Sequence, residues 1–189
     1  MKIKEISILD EKELDKYSDQ PRDLVYEYIN QTESDFLSMP NKLMRDSLLS
    51  EHNYLTRRSM KSCRGLGYTI TVGDICYIDY GRAYIHEIGY QHFGLVVNMC
   101  YAKALVIPMT SNKTVKSCAY QKDDNPDGML NLMSIGRIEG LTSESVLFLN
   151  DAKFINTARI IDVKGHIDKD SLLFKEIMMR LYRCINEEI

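Results

Sequence analysis

The chain has 189 residues, is 44% hydrophobic and 27% charged, and carries a net charge of −3 at pH 7. Those values exclude a largely disordered chain, and the lack of any basic excess excludes a whole-surface nucleic-acid glove, so a nucleic-acid partner has to meet a local patch. The length suits one domain, or one with an appendage, and suffices for a real core.

No apolar run approaches the ~20 residues that cross a bilayer. The start, MKIKEISIL, is too short and too acidic in its apolar stretch for a signal peptide. The expectation is a cytoplasmic protein with no membrane partner. Five cysteines (Cys63, Cys76, Cys100, Cys118 and Cys184) are odd in number and scattered without zinc spacing. They point to neither a disulfide framework nor a structural metal, and Cys76 and Cys100, in strand-like runs, read as buried thiols.

Residues 1–66 are rich in charge and helix formers. Asp10 can cap a short helix over residues 11–17, which Pro21 ends or restarts. A second helix over residues 23–37 sets Val25, Ile29 and Phe36 near one face. Ser38 and Pro40 open a third, reaching about Lys61, with Leu43, Leu48, Leu49, Tyr54 and Leu55 as its apolar positions. Arg57 and Arg58 suit its C-terminus, where cations offset the helix dipole; phosphate contact is the sharper alternative. Gly65 and Gly67 mark the handover to β structure.

Three short β-branched runs follow, at residues 75–78, 95–97 and 104–107, and read as an antiparallel meander. Between the first two lies a polar loop, residues 81–92, with two histidines, a glutamate and two tyrosines; a polar loop held between strands is where a small β protein places chemistry. Residues 115–120 read as a further strand. Residues 121–131 form a polar turn in which Asp123, Asn125, Asp127 and Gly128 match half of a calcium loop. Position twelve there is Ser134, so turn chemistry is the better reading. Residues 133–138 and 145–149 read as a hairpin around Glu139-Gly140-Leu141, residues 153–155 as a strand, and residues 156–159 as a helical turn. Asp168 caps a last amphipathic helix with Leu172, Ile177, Leu181 and Ile185 on its buried side. The weakest seam is near Gly65.

Four blocks together carry a resemblance: GDICYIDYG at residues 73–81, HEIGYQHFGLVVN at 86–98, VIPMTS at 106–111, and SVLFLNDAKFINTARI at 145–160 followed by a helix. In order and spacing they resemble the MazF/PemK group of toxin ribonucleases over roughly residues 68–185. The resemblance implies a mainly β fold with helices: an SH3-like, CcdB/PemK-like barrel over residues 67–189 with a C-terminal helix, preceded by a helical N-terminal extension over residues 1–66. It implies a homodimer, an antitoxin protein as partner, and cofactor-free, metal-independent cleavage of single-stranded RNA to a 2′,3′-cyclic phosphate and a 5′-hydroxyl. The family's arginine falls on His92 and its proline on Phe93; its threonine falls on Thr110, with Ser111 beside it. Its loop acid falls on Glu87 and a later basic residue on Lys153. Either His92 takes over from the arginine or the chemistry is altered.

Cleaving RNA through its own 2′-hydroxyl needs a base, an acid and donors for the phosphorane charge. His92 suits proton transfer near neutral pH, Thr110 and Ser111 offer hydroxyls, and Glu87 can orient His92 or fix the loop. Lys153 offers a charge, and Tyr84, Tyr90 and Gln91, in and beside the loop, offer contacts to bases. Each has a plainer reading: a half-buried hydrogen-bonded histidine, turn hydroxyls, a solvated acid, a surface lysine, packing tyrosines. Two other functions stay open: a non-catalytic binding module or gyrase poison on the same barrel, and a regulator whose first 66 residues mask the groove.

Overall fold

The computed structural model describes residues 20–67 and 69–186. The helix expected over residues 11–17, with Asp10 as its cap, lies outside them. The chain separates into two compact units that divide between residues 46 and 47.

Helix α1 spans Gln20–Ser38 and α2 spans Asn41–Arg57. Pro40 separates them, since it cannot continue α1 but its carbonyl accepts from Met44 to start α2. Val25 and Ile29, expected on a packed face, are about half exposed at 55% and 49%. In α2, Leu48, Leu49, Tyr54 and Leu55 are exposed too.

The second unit is built on strands β1 (Asp74–Asp79), β2 (Gln91–Cys100) and β3 (Lys103–Thr110), which pair antiparallel in sequence order. They are followed by α3 (Lys113–Cys118), β4 (Ala119–Tyr120), β5 (Met129–Gly136), β6 (Ser145–Phe148), β7 (Lys153–Asn156), β8 (Ile160–His166) and α4 (Leu172–Ile185). The sheet has eight strands in the order β4-β5-β6-β3-β2-β1-β8, with β7 also pairing β3. One edge of β3 is therefore shared: residues 103–106 pair with β7, and Met109 and Thr110 pair with β6. Pro108 stands in the gap between those two ladders, where a residue without an N–H costs no hydrogen bond on that side.

Alternation along the central strands feeds two cores. Ile75, Leu95, Ile107, Met109, Met133 and Leu147 face one, where Phe174, Ile177 and Leu181 of α4 cover them. Cys76, Ile78, Tyr80, Val96, Val106, Ile155 and Ile160 face the other, covered by Cys63 and Ile70. The bulge at Val97 in β2 lets the strand bend. The sheet curls until the β5–β6 connection lies against β8, where a Cβ on Gly140 would overlap the Lys164 carbonyl. The result is a mainly β fold with helices, an eight-stranded curled sheet closed by a C-terminal helix and preceded by N-terminal helices.

Four local expectations change. Residues 115–120 hold a short helix and only a two-residue strand, because the Asn112 side chain accepts from Thr114 and Val115 and caps a turn there. Asp168 does not cap the last helix; it accepts from Asp170, while Ser171 accepts from Phe174 at 3.1 Å and is the cap. That start shifts the buried stripe: Phe174 joins Ile177 and Leu181, while Leu172 and Ile185 are exposed. Cys76 is buried as expected, but Cys100, at the outer end of β2, is exposed. Strand β8, IIDVKGH, was not anticipated at all.

Candidate functional site

The site is assembled on the β2–β3 ladder. Phe93 pairs with Met109 and Gly94 with Pro108, and continuing that register by one residue beyond the paired stretch brings His92 level with Thr110. Residues directly opposite on antiparallel strands present their side chains on one face. Here it is the face of the second core, since Ile78, the partner of His92 on β1, belongs to that core. A row thus crosses four strands: Ile78, His92, Thr110 and then Val146 of β6.

His92 is half-buried at the rim of that core. Its Nδ1 lies 2.7 Å from the carbonyl of Gly89. A carbonyl only accepts, so Nδ1 carries the hydrogen and the neutral ring presents a bare Nε2. Nε2 has no hydrogen-bond partner among the described residues. Thr110 Oγ1 accepts from the Asn112 N–H at 3.2 Å, which leaves its own O–H free to donate. Ser111 follows it, exposed.

Among the described residues Glu87 makes no hydrogen bond or ion pair with His92. Its carboxylate accepts from the Tyr84 N–H at 3.3 Å, so of its two anticipated tasks only the folding of the loop is occupied. Tyr84 is 86% exposed at the loop tip. Tyr90 sits at the loop's return with a φ of 56°, its N–H on Gly81 O and its carbonyl on Tyr80 N. Gln91 is held inside the unit, donating to Ser50 Oγ at 2.9 Å. Lys153 lies opposite Val106, hence on the same face as Thr110 but four residues further along. Its Nζ is 3.1 Å from Asp151 and 5.7 Å from the centre of the Tyr80 ring.

Arg57, read as a dipole or phosphate partner, donates instead to the carbonyls of Ala158 and Ile160. Asn125 of the calcium-like turn gives its amide to the carbonyls of Ser117 and Ala119.

Three residues that sequence reasoning passed over frame this site. Asp79 is buried at 4% exposure, and its carboxylate accepts from Ser50, Asn53 and Gly81. Asp151 accepts from the Ile88 N–H at 2.6 Å, anchoring the loop from its other side. Tyr80 packs over Gly94, where any Cβ would overlap its hydroxyl, and that hydroxyl is buried with no hydrogen-bond partner among the described residues. Desolvation pushes its ionisation well above the ordinary tyrosine range. The one visible signal was Gly94, a glycine inside a strand, which marks close approach.

No protein-family model matches this chain, and no curated protein matches it either. In fold it is similar to solved MazF toxin endoribonucleases. MazF from Deinococcus radiodurans superposes with a TM-score of 0.47 at 13% identity, over 63% of this chain and 98% of that one. An endoribonuclease from a mycobacterial species gives 0.43 at 10% identity, over 63% and 93%. A mycobacterial endoribonuclease solved in complex with its cognate antitoxin gives 0.44 at 11% identity, over 62% and 96%. Among the described residues no helix is long and apolar enough to cross a membrane.

Proposed function

We propose that this chain is a metal-independent endoribonuclease toxin of a toxin–antitoxin module, cutting single-stranded RNA to a 2′,3′-cyclic phosphate and a 5′-hydroxyl. The observation that supports this reading is His92: its Nδ1–H is held by Gly89, its Nε2 meets no partner among the described residues, and the β2–β3 register, continued by one residue, runs to Thr110. His92 Nε2 takes the proton of the 2′-hydroxyl as that oxygen attacks phosphorus. The P–O5′ bond breaks, the departing 5′-oxygen takes a proton from water, and the hydroxide so formed takes the proton back from His92, restoring the neutral ring. Thr110 and Ser111 donate to the phosphorane oxygens as charge grows there, which is where fixed donors act most strongly. Tyr84, exposed at the loop tip, offers a face for a base to stack on. Every step uses a side chain or solvent, so the scheme needs no metal ion. A homodimer in the cytoplasm and a protein antitoxin complete the proposal.

The test is incubation of the purified chain with a single-stranded RNA pool in EDTA, with mapping of 5′-hydroxyl ends. Discrete cleavage that disappears in His92→Ala is the expected result. Intact RNA with the folded wild-type chain overturns it.

One observation favours a second reading, a non-catalytic binding module on the same fold. Lys153 is already paired with Asp151 and Gln91 with Ser50, so two of the polar groups assigned to RNA are engaged within the chain. Inhibition of gyrase supercoiling without RNA cleavage would select that reading.

A further inference from the structure

The helix that precedes the sheet reaches the proposed site through hydrogen bonds. Asp79, the last residue of β1, is a buried carboxylate with no salt-bridge partner among the described residues. Its Oδ1 accepts from Ser50 Oγ at 2.6 Å and from the Gly81 N–H at 3.0 Å, and its Oδ2 accepts from Asn53 Nδ2 at 2.7 Å. Hydrogen bonds to an ionised group are the strong ones, and they hold their donors in place. The Ser50 hydroxyl in turn accepts from Gln91 Nε2 at 2.9 Å. Ser50 and Asn53 lie three residues apart, hence on one face of α2.

Both stems of the 81–90 loop are therefore tied to α2. On the outgoing stem, Asp79 fixes Gly81, whose carbonyl accepts from the Tyr90 N–H at 2.6 Å. On the returning stem, Ser50 holds the Gln91 side chain directly. Tyr90 and Gln91 are the two residues between Gly89 and His92. Pinning both of them fixes the Gly89 carbonyl against the imidazole. Tyr90 also has a left-handed φ of 56°. For a non-glycine residue that backbone is unfavourable and persists only where its surroundings impose it. A neutral histidine side chain in water prefers its hydrogen on Nε2; the Gly89 carbonyl reverses that preference, and the loop stems hold the carbonyl there.

We propose that Ser50 and Asn53 are positioning residues: through Asp79 and Gln91 they hold the returning loop stem so that Gly89 keeps the hydrogen of His92 on Nδ1 and its Nε2 basic. The part that concerns catalysis rests on the ribonuclease reading above; the tautomer itself does not.

The test is nitrogen NMR of the full chain labelled at histidine, above the pH at which the rings are neutral. Wild type shows His92 with its hydrogen on Nδ1. Ser50→Ala/Asn53→Ala shifts His92 toward the Nε2–H form, whereas His166, hydrogen-bonded to Asp74 elsewhere on the sheet, keeps its signal and reports an intact fold. Ser50→Thr, which keeps a hydroxyl, retains the wild-type pattern. If the double variant loses the His166 signal too, Asn53→Ala alone carries the same readout with a milder change. An unchanged His92 tautomer in a folded variant overturns the proposal. Where the wild type cleaves RNA, the double variant lowers kcat by about ten- to a hundredfold with little change in KM, the signature of a misplaced group. A shifted tautomer in a chain that never cleaves RNA sinks the ribonuclease reading and leaves the positioning role standing. Cleavage with an indifferent tautomer does the reverse.

Discussion

Asp151 crosses from the β6–β7 connection to the 81–90 loop and accepts the Ile88 N–H at 2.6 Å, while its other oxygen lies 3.1 Å from Lys153 Nζ. One carboxylate thus fastens the loop and holds the lysine beside it. Asp151→Ala is expected to speed hydrogen exchange at the Ile88 amide and to lower stability by about 1–3 kcal/mol, the usual range for losing a hydrogen bond to a charged group. Exchange measured residue by residue, with a denaturant titration, checks both. An Ile88 amide that exchanges as slowly as in wild type contradicts the anchoring.

The site itself predicts a graded kinetic series. His92→Ala removes the proposed base and is expected to lower the cleavage rate by about 10²–10⁴-fold, the usual worth of general acid–base help. Thr110→Val keeps shape but removes a donor and is expected to cost less than His92→Ala. Glu87→Gln, whose carboxylate touches Tyr84 and not the imidazole, is expected to leave the pH profile of cleavage in place. Single-turnover rates across pH separate these. A displaced pH profile in Glu87→Gln would place that acid in the proton path after all.

Tyr80 and Gly94 form a steric pair with a measurable coupling. Tyr80→Phe deletes a buried hydroxyl that has no partner among the described residues and is expected to raise stability by about 1 kcal/mol. Gly94→Ala drives a methyl group toward that hydroxyl and toward Ile78, and is expected to cost about 1–3 kcal/mol. In the double variant part of that loss returns, because one of the two obstructions is gone. A double-mutant cycle by urea unfolding gives the coupling, and strict additivity would show that the two groups do not meet.

Alkaline pH is expected to act through Cys76. Burial pushes its thiol from the ordinary 9.0 up to about 12. Above pH 9.0 the unfolded chain sheds this proton while the folded chain keeps it, so stability is intact below 9.0 and falls as pH climbs toward about 12. Cys76→Ala removes that part of the slope, which unfolding titrations at stepped pH would reveal. Under native conditions iodoacetamide is expected to label exposed Cys100 and Cys118 and to spare Cys76 and Cys63.

How far the sequence carried these conclusions differs from element to element. Strands β1 to β3 were legible because their β-branched runs are buried on both faces and carry few competing signals. Strand β8 was not, because Asp162, Lys164 and His166 interrupt the apolar pattern of an edge strand. Residues 113–118 misled for a different reason: Val115 and Thr114 favour strand, and a single cap from Asn112 overrode them. At the site, the block resemblance singles out His92 and Thr110 but does not say how the two are held. Asp79 and Ser50 could not be anticipated, since their contact joins chain segments 29 residues apart, and the Gly89 carbonyl could not, since its meeting with the ring three residues on depends on the backbone path of the loop. Sequence patterns report faces and periods, and they are silent about which backbone oxygen a ring nitrogen meets.

The pairing of Asp74 with His166 spans 92 residues. Until β8 has emerged from the ribosome, β1 has a neighbour on one side only and Ile160 has not reached the second core. A nascent chain therefore carries an open, sticky strand edge until β8 is made, and whatever the finished molecule does begins only once β1 has met β8.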